Sequence, residues 1–313
     1  MFRCRRQRGA ALIIALLAVA LATVSAVALT SRQHFDIRRT ANILLVDQAW
    51  LYALGAESLA HKVLERDARE SETDHLGEMW AMVMPPLPIE GGSVQGRLHD
   101  LSGRFNLNSV VDGQGQGDTY GFEQFRRLLV SLDLDPALAD ALLDWIDSDD
   151  EVTFPGGAEE AWYLSREPPY RVANRPLVSV SELRLVRGFD NDVMMVLAPY
   201  VAALPVDTAL NINTAPARVL ASLADQLQLD ELERWVAQRD ESDGFDSVES
   251  FMQQPPFVGE AGDQMDQQRL AVRSEYFLFE ASVTLAELSV RLYAVLERRG
   301  GEAYTRLRGM GAY

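Results

Sequence analysis

The chain has 313 residues, of which 29 are basic and 46 acidic, giving a formal charge of −17. That length suffices for an anchor plus one or two globular units, and so acidic a chain repels phosphate backbones and attracts cations, which argues against a nucleic-acid binder. The single cysteine, Cys4, lies at the extreme N-terminus, so no internal disulfide is available and the fold must rely on packing, with bound metal as the further means open to it.

Arg3, Arg5, Arg6 and Arg8 precede Gly9, and from Ala10 the run AALIIALLAVALATVSAVAL carries no charge. About 20 apolar residues in a helix cross a hydrocarbon layer of ~30 Å. Arginines on the N-terminal side alone keep that end in the cytoplasm and send the remainder across the membrane. A Sec signal peptide cleaved after Ala28 or Thr30 is the alternative for the same run. Against it stands continuity: the helical spacing goes on through Phe35, Ile37, Ile43, Leu44, Val46, Trp50, Leu51, Leu54, Leu59 and Val63, and the next proline is Pro85. The pattern predicts one helix that leaves the membrane and enters a soluble head.

A short basic leader, a glycine directly before an apolar helix, and a helix whose second half packs on a head together resemble the type IV pilin and pseudopilin class. The resemblance implies a prepilin peptidase cut between Gly9 and Ala10, with methylation of the new amine. Loss of the leader arginines leaves 25 basic against 46 acidic residues. Most members of the class carry glutamate at the fifth mature position; here that residue is Ile14. A carboxylate buried there is tolerable when it meets the amine of a neighbouring subunit, and unpaired it is costly. An apolar residue suits a subunit with nothing above it.

Beyond the stalk, PPLPIEGG breaks helix and strand alike, and GSVQGRLHDLSGRFNLN predicts two short strands across the Leu101-Ser102-Gly103 turn. Two-residue periodicity returns far downstream. Phe277, Phe279, Ala281, Val283 and Leu285 share one face, and after a turn near Glu287 so do Leu288, Val290, Leu292, Ala294 and Leu296. The sheet is thus assembled from distant segments, which makes the block between them an insertion. That block predicts helices over Gly121 to Leu132, Pro136 to Asp147, Ser179 to Arg187, Asp190 to Leu197, Pro216 to Leu227 and Asp230 to Arg239. Ser179 with Glu182 forms a capping box, and Thr214 before Pro216 supplies a cap and first-turn pair. No tandem repeat is evident.

The stretches DLSGRFNLN, LLDWIDSDDE, GAEEAWYLSREPPYRVANRPLVSVSELRLVRGF and LNINTAPARVLASL are similar to segments of the minor pseudopilin K family of type II secretion. The resemblance implies an α+β pilin-like fold: a long N-terminal transmembrane and stalk helix, a small antiparallel sheet, and a large inserted α-helical domain that binds calcium. On this reading residues 1–9 are the leader, 10–30 the membrane span and 31–66 the stalk. Residues 90–108 and 274–298 form the head, 109–273 the insertion and 299–313 a tail. The implied partners are other minor pseudopilins, the prepilin peptidase and the inner membrane, with the C-terminal domain periplasmic.

Carboxylates concentrate where a predicted helix ends: Asp144, Asp147, Asp149, Asp150 and Glu151, followed by Glu159 and Glu160 after Gly156-Gly157. Acidic groups at a helix C-terminus oppose the dipole, which suggests a compensating cation. Hard oxygen ligands at loop spacing suit calcium better than zinc. A solvated acidic loop is the plainer alternative. A second acidic loop offers Asp240, Asp243 and Asp246, whose spacing does not fit an EF-hand. Asp100, Arg104 and Asn106 mark a polar hinge where the insertion leaves the sheet, or ordinary turn chemistry.

LNINTAPARVLASL also resembles half of a helix-hairpin-helix DNA-binding unit, but its connection, Leu223-Ala224-Asp225-Gln226, is acidic and lacks the glycine that lets backbone N–H groups approach phosphate. His34, His61, His75 and His99 are scattered, and no nucleophile elbow is present. The expectation is a non-enzymatic minor pseudopilin at the tip of a pseudopilus. A membrane-anchored DNA-uptake protein and a Sec-exported periplasmic calcium-binding protein are the alternatives.

Overall fold

The computed structural model describes residues 8–311; most of the basic leader, with Cys4, lies outside the described residues. One helix, α1 (Arg8–Glu70), carries the chain from the apolar run into the head without a break at Ala28 or Thr30. Its membrane-length window has a mean hydropathy of 2.8. Nothing in its sequence stops it: Gly55 and Asn42 each cost about 0.5–1 kcal/mol in a helix interior, too little to end it. On the face it turns to the head, Ala49, Ala53 and Ala60 are buried, and these small side chains let the helix lie close against the sheet.

That sheet is antiparallel, in the order β1-β2-β7-β8-β9. Its strands are β1 (Leu87–Ile89), β2 (Gly92–Asp100) and, after the insertion, β7 (Tyr276–Leu285), β8 (Leu288–Arg299) and β9 (Glu302–Met310). The inward alternation holds as the periodicity requires. Val94 lies opposite Val283, Leu98 opposite Phe279 and Phe277 opposite Leu296, and these pack with Leu64 and Trp80 of the stalk side in one core. Phe277 and Leu292 are fully buried, each worth about 1.5–3 kcal/mol over exposure. The opposite face is covered as well: Tyr276, Leu278 and Val295 meet Leu101, Ala202 and Leu204 of the insertion.

Two details of the sheet differ from expectation. Residues 299–313, expected as a tail, supply β9, because Arg308 donates to Glu57 of the stalk at 2.7 and 2.8 Å and so fixes the strand against the helix. The two strands expected across the Leu101-Ser102-Gly103 turn are present, but they do not pair with each other. Instead β3 (Phe105–Asn106) leaves the sheet and pairs in parallel with a later strand.

The insertion then runs through α2 (Thr119–Ser131), α3 (Leu138–Ile146), α4 (Glu160–Leu164) and α5 (Asn191–Leu197) to β4 (Val201–Ala202), the parallel partner of β3. It continues with β5 (Leu210–Asn211), α6 (Ala217–Ala221), α7 (Leu229–Asp240), α8 (Val248–Met252) and α9 (Glu260–Gln264), and ends at β6 (Leu270–Ala271), the parallel partner of β5. The capping box of Ser179 and Glu182 is present, although the turn it starts is a 3-10 helix, Val180–Leu185. The helix expected from Pro216 to Leu227 shortens to Ala217–Ala221. Thr214 does not cap it, because its hydroxyl donates to Asp100.

The two halves share one hydrogen-bonding frame, although no tandem repeat is evident in the sequence. Asn106 Oδ1 accepts from Asn108 N, and Asn211 Oδ1 from Asn213 N. Asn108 then exchanges two hydrogen bonds with the backbone of Leu177, at 2.7 and 2.9 Å. Asn213 does the same with Phe245, at 2.8 and 3.0 Å. Two residues after each clamped segment a serine, Ser179 or Ser247, caps the next helix. Buried amide groups of this kind satisfy several backbone groups at once, which is why asparagine suits the same place in both halves.

Candidate functional site

The stalk presents its chemistry by exposure. Gly9 and Ala10 lie in the first turns of α1, and from Ala10 onward the apolar side chains are exposed, Ile14 among them at 66%. Past the membrane-length segment the exposed large apolar residues of the helix are Phe35, Ile37, Ile43, Leu44, Leu51 and Leu59. Trp50 and Leu54 pack against the chain's own sheet. Leu51, Gly55 and Leu59 line an apolar groove of about 310 Å³ with Met79, Met82 and Leu87.

The acidic loop begins where α3 ends. Asp144 is fully buried, and both its oxygens accept from Thr153 N, at 3.1 and 3.2 Å. Asp140 Oδ2 accepts from Gly156 N at 2.9 Å. A Cβ on Gly157 would stand 2.2 Å from Asp144 Oδ2 and 2.3 Å from the Thr153 carbonyl, so only glycine lets the loop close over the carboxylate. Asp147 and Glu159 are buried too, yet Asp147 Oδ1 and both Glu159 oxygens have no hydrogen-bond partner. Burial, reinforced by the surrounding carboxylates, pushes Asp147 up to about 7 and Glu159 to about 7; burial also raises Asp144. Unpaired acceptors in a shared field of like charge are what a hard divalent cation removes.

Of the residues proposed from sequence, then, Asp144, Asp147 and Glu159 are buried within one another's electrostatic field, to which Asp149 and Asp150 also contribute, but among the described residues their oxygens do not gather within 4.8 Å of one another. Glu151 is exposed, and Glu160 turns outward to Arg171 at 3.6 Å. Sequence reasoning missed Asn174. Its backbone has φ 44°, its amide nitrogen donates to the Asp149 carbonyl at 3.2 Å, and its Oδ1 is buried without a partner. The only signal for it was a residue type tolerant of left-handed backbone.

The second acidic loop is different. Asp240 accepts from the buried Arg239 at 2.7 and 2.9 Å, while Asp243 and Asp246 are exposed. The structure does not bring these three together as ligands. Among the described residues, Asp67, Asp74 and Glu78 are a group of carboxylates with oxygens within 4.8 Å of one another, also missed from sequence. Arg298 lies among them and pairs with Asp67 and Asp74, so this group already holds its own positive charge.

At the expected hinge, Asp100 accepts from Thr214, from Ser274 at 2.6 Å and from Ser102 N at 2.7 Å, and Asn106 donates to Pro205 O at 2.7 Å. Arg104 lines a neighbouring polar cavity of about 300 Å³. In the segment resembling a DNA-binding hairpin, Leu223 N donates to Leu220 O, Asp225 N to Gln264 Oε1, and Asp225 pairs with Arg127. Two of the N–H groups that a phosphate would approach are thus engaged, and an acid stands beside them.

Two family models match this chain, both described as type II secretion system (T2SS), protein K, over residues 103–206 and 210–273. Type II secretion system protein K of Pseudomonas aeruginosa is 39% identical, over 98% of this chain and 94% of its own length. The Aeromonas hydrophila protein of the same name is 35% identical, over 94% of each. Among solved structures, a chain in the crystal structure of the GspK-GspI-GspJ complex from the enterotoxigenic Escherichia coli type 2 secretion system superposes with a TM-score of 0.79. It is 28% identical and covers 88% of this chain and 100% of that one.

Proposed function

Since the chain belongs to the type II secretion system protein K family and is a minor pseudopilin of the type II secretion pseudopilus, we propose that it closes the tip of that filament. The observation that carries this reading is the size and position of the insertion. Two helical units lie between β2 and β7 of a small pilin-like head, a domain-sized addition that obstructs any subunit stacked above. Ile14 supports it, because an apolar side chain offers no carboxylate to an amine overhead.

The partners follow from the same geometry. The structural relative is a GspK-GspI-GspJ complex, and the exposed stripe of Ile43, Leu44, Leu51 and Leu59 suits lateral packing of parallel stalk helices from subunits of the GspI and GspJ kind. The role is structural rather than catalytic, with the N-terminus cytoplasmic, one pass through the inner membrane, and the head in the periplasm.

Calcium fits the acidic loop of the insertion. Asp144, Asp147, Glu159 and the orphaned Asn174 Oδ1 supply hard oxygens, and a bound ion would supply the countercharge and cross-link the end of α3 to the loop that follows it. The acidic loop at Asp240 is not part of this proposal.

Processing tests the assignment to the pilus pathway. Mass spectrometry of membrane-extracted protein should find a mature chain starting at Ala10, and Gly9→Val should block the cut. A start near Ser31 would assign the apolar run to Sec export, and an intact Met1 to an uncleaved anchor.

A further inference from the structure

The two units of the insertion meet the same structural problem with different charges. In each, an asparagine clamps the segment ahead of a serine-capped helical turn, Asn108 on Leu177 and Asn213 on Phe245. What lies between the helix end and the clamp differs. In the second unit it is residues 241–244, and in the first it is residues 147–176. A short connection is closed by the clamp alone, whereas a long one needs internal ties.

The ties available are unequal. Among the described residues the buried basic side chains are Arg239 and Arg298. Arg239 belongs to the second unit, where it donates to Ile212 O and Ala215 O at 2.7 and 2.8 Å and pairs with Asp240. Arg298 belongs to the junction with the head. The first unit buries Asp140, Asp144, Asp147 and Glu159 with no buried arginine or lysine among them. Arg187 reaches this loop from the surface, but its guanidinium donates to the Gly157 carbonyl at 2.8 Å and not to a carboxylate. Glu159 is only 5% exposed and both of its oxygens stand unpartnered.

We infer that divalent-cation dependence is confined to the first unit: a cation from solvent orders residues 147–176, while Arg239 serves the second unit as a built-in cation and makes it metal-independent. This rests on the metal reading given above and adds to it where the dependence stops. The insertion then has one end whose shape responds to calcium and one end, joined to the head through β6 and β7, whose shape does not.

Hydrogen exchange read by mass spectrometry on the full-length, detergent-solubilised protein, with calcium and then with chelator, separates the possibilities. Chelation should speed exchange across 147–176 by about tenfold or more and leave 241–246 within about twofold. If both loops open, the confinement is overturned while the metal reading survives. If neither changes, the metal reading itself fails and this inference with it. In a second arm, Arg239→Met should loosen 241–246 to the same extent with and without calcium. Rescue of that variant by calcium would overturn the role given to the arginine.

Discussion

The guanidinium of Arg298, near the end of β8, donates from Nη1 to Asp67 Oδ2 at 2.7 Å, two turns or less from the end of the stalk helix. Its Nη2 reaches Asp74 and the Ser274 carbonyl, the latter at 2.8 Å. One side chain therefore joins the stalk, the linker that follows it, the sheet and the connection by which the chain returns from the insertion. Arg298→Met should leave Asp67 and the fully buried Asp74 without countercharge and cost about 3–5 kcal/mol. Urea unfolding of the variant checks it, and a loss below about 1 kcal/mol would show that the junction is held by packing alone.

The junction also sets a pH dependence. Burial, with the charges of Glu78 and Asp74, pushes Asp67 up to about 7 against the pull of Arg298, and burial pushes Asp100 up to about 6. Both values lie above those of the unfolded chain, so the native state holds protons that the unfolded state has released. Their stabilising share is complete below about pH 4 and is lost as pH rises through 6 and 7. A variant with Asp67→Asn and Asp100→Asn should lose less stability than wild type between pH 5 and 8, by about 1–2 kcal/mol after allowance for partial exposure. Denaturant midpoints at the two pH values measure the difference, and parallel losses in both proteins would contradict it.

The calcium site has a steric test. A methyl group on Gly157 would meet the Asp144 carboxylate and the Thr153 carbonyl at 2.2 and 2.3 Å. Gly157→Ala should therefore weaken calcium binding by about tenfold or more while the protein still folds. Titration calorimetry reads the affinity, and unchanged binding would place the ion elsewhere.

Much of the architecture was legible because it is periodic. The three-to-four-residue spacing of the stalk and the two-residue alternation of Phe277 to Leu285 and Leu288 to Leu296 state both the element and its buried face. What stayed hidden is long-range. Nothing local announces that Arg298 answers Asp67 and Asp74, or that Arg308 and Glu57 hold a final strand which alternation alone leaves ambiguous. The shared frame rests on a pair of asparagines per unit, too few matched letters to show as a repeat. Of the acidic loop, the helix-terminal carboxylates were visible and Asn174 was not, because its part depends on a backbone turn that brings it back to Asp149.

The stalk surface divides into two classes that mutation should separate. Leu44, Leu51 and Leu59 are exposed, so changing all three to serine should move stability by less than about 0.5 kcal/mol per site. Residues 32–313 carrying those changes should nevertheless fail to form the soluble complex with two smaller minor pseudopilins that is expected of the unaltered head. Trp50 packs on the sheet core, so Trp50→Ala should destabilise the head by about 3 kcal/mol or more. If the serine variant still forms the complex, the partners dock elsewhere.

Placement at the tip is tested most directly by immunogold labelling of pseudopili assembled with the full-length protein and an antibody against the insertion. The account predicts label at one end of each filament, with none along its length. Label distributed along the shaft would contradict the tip assignment while leaving membership of the family intact.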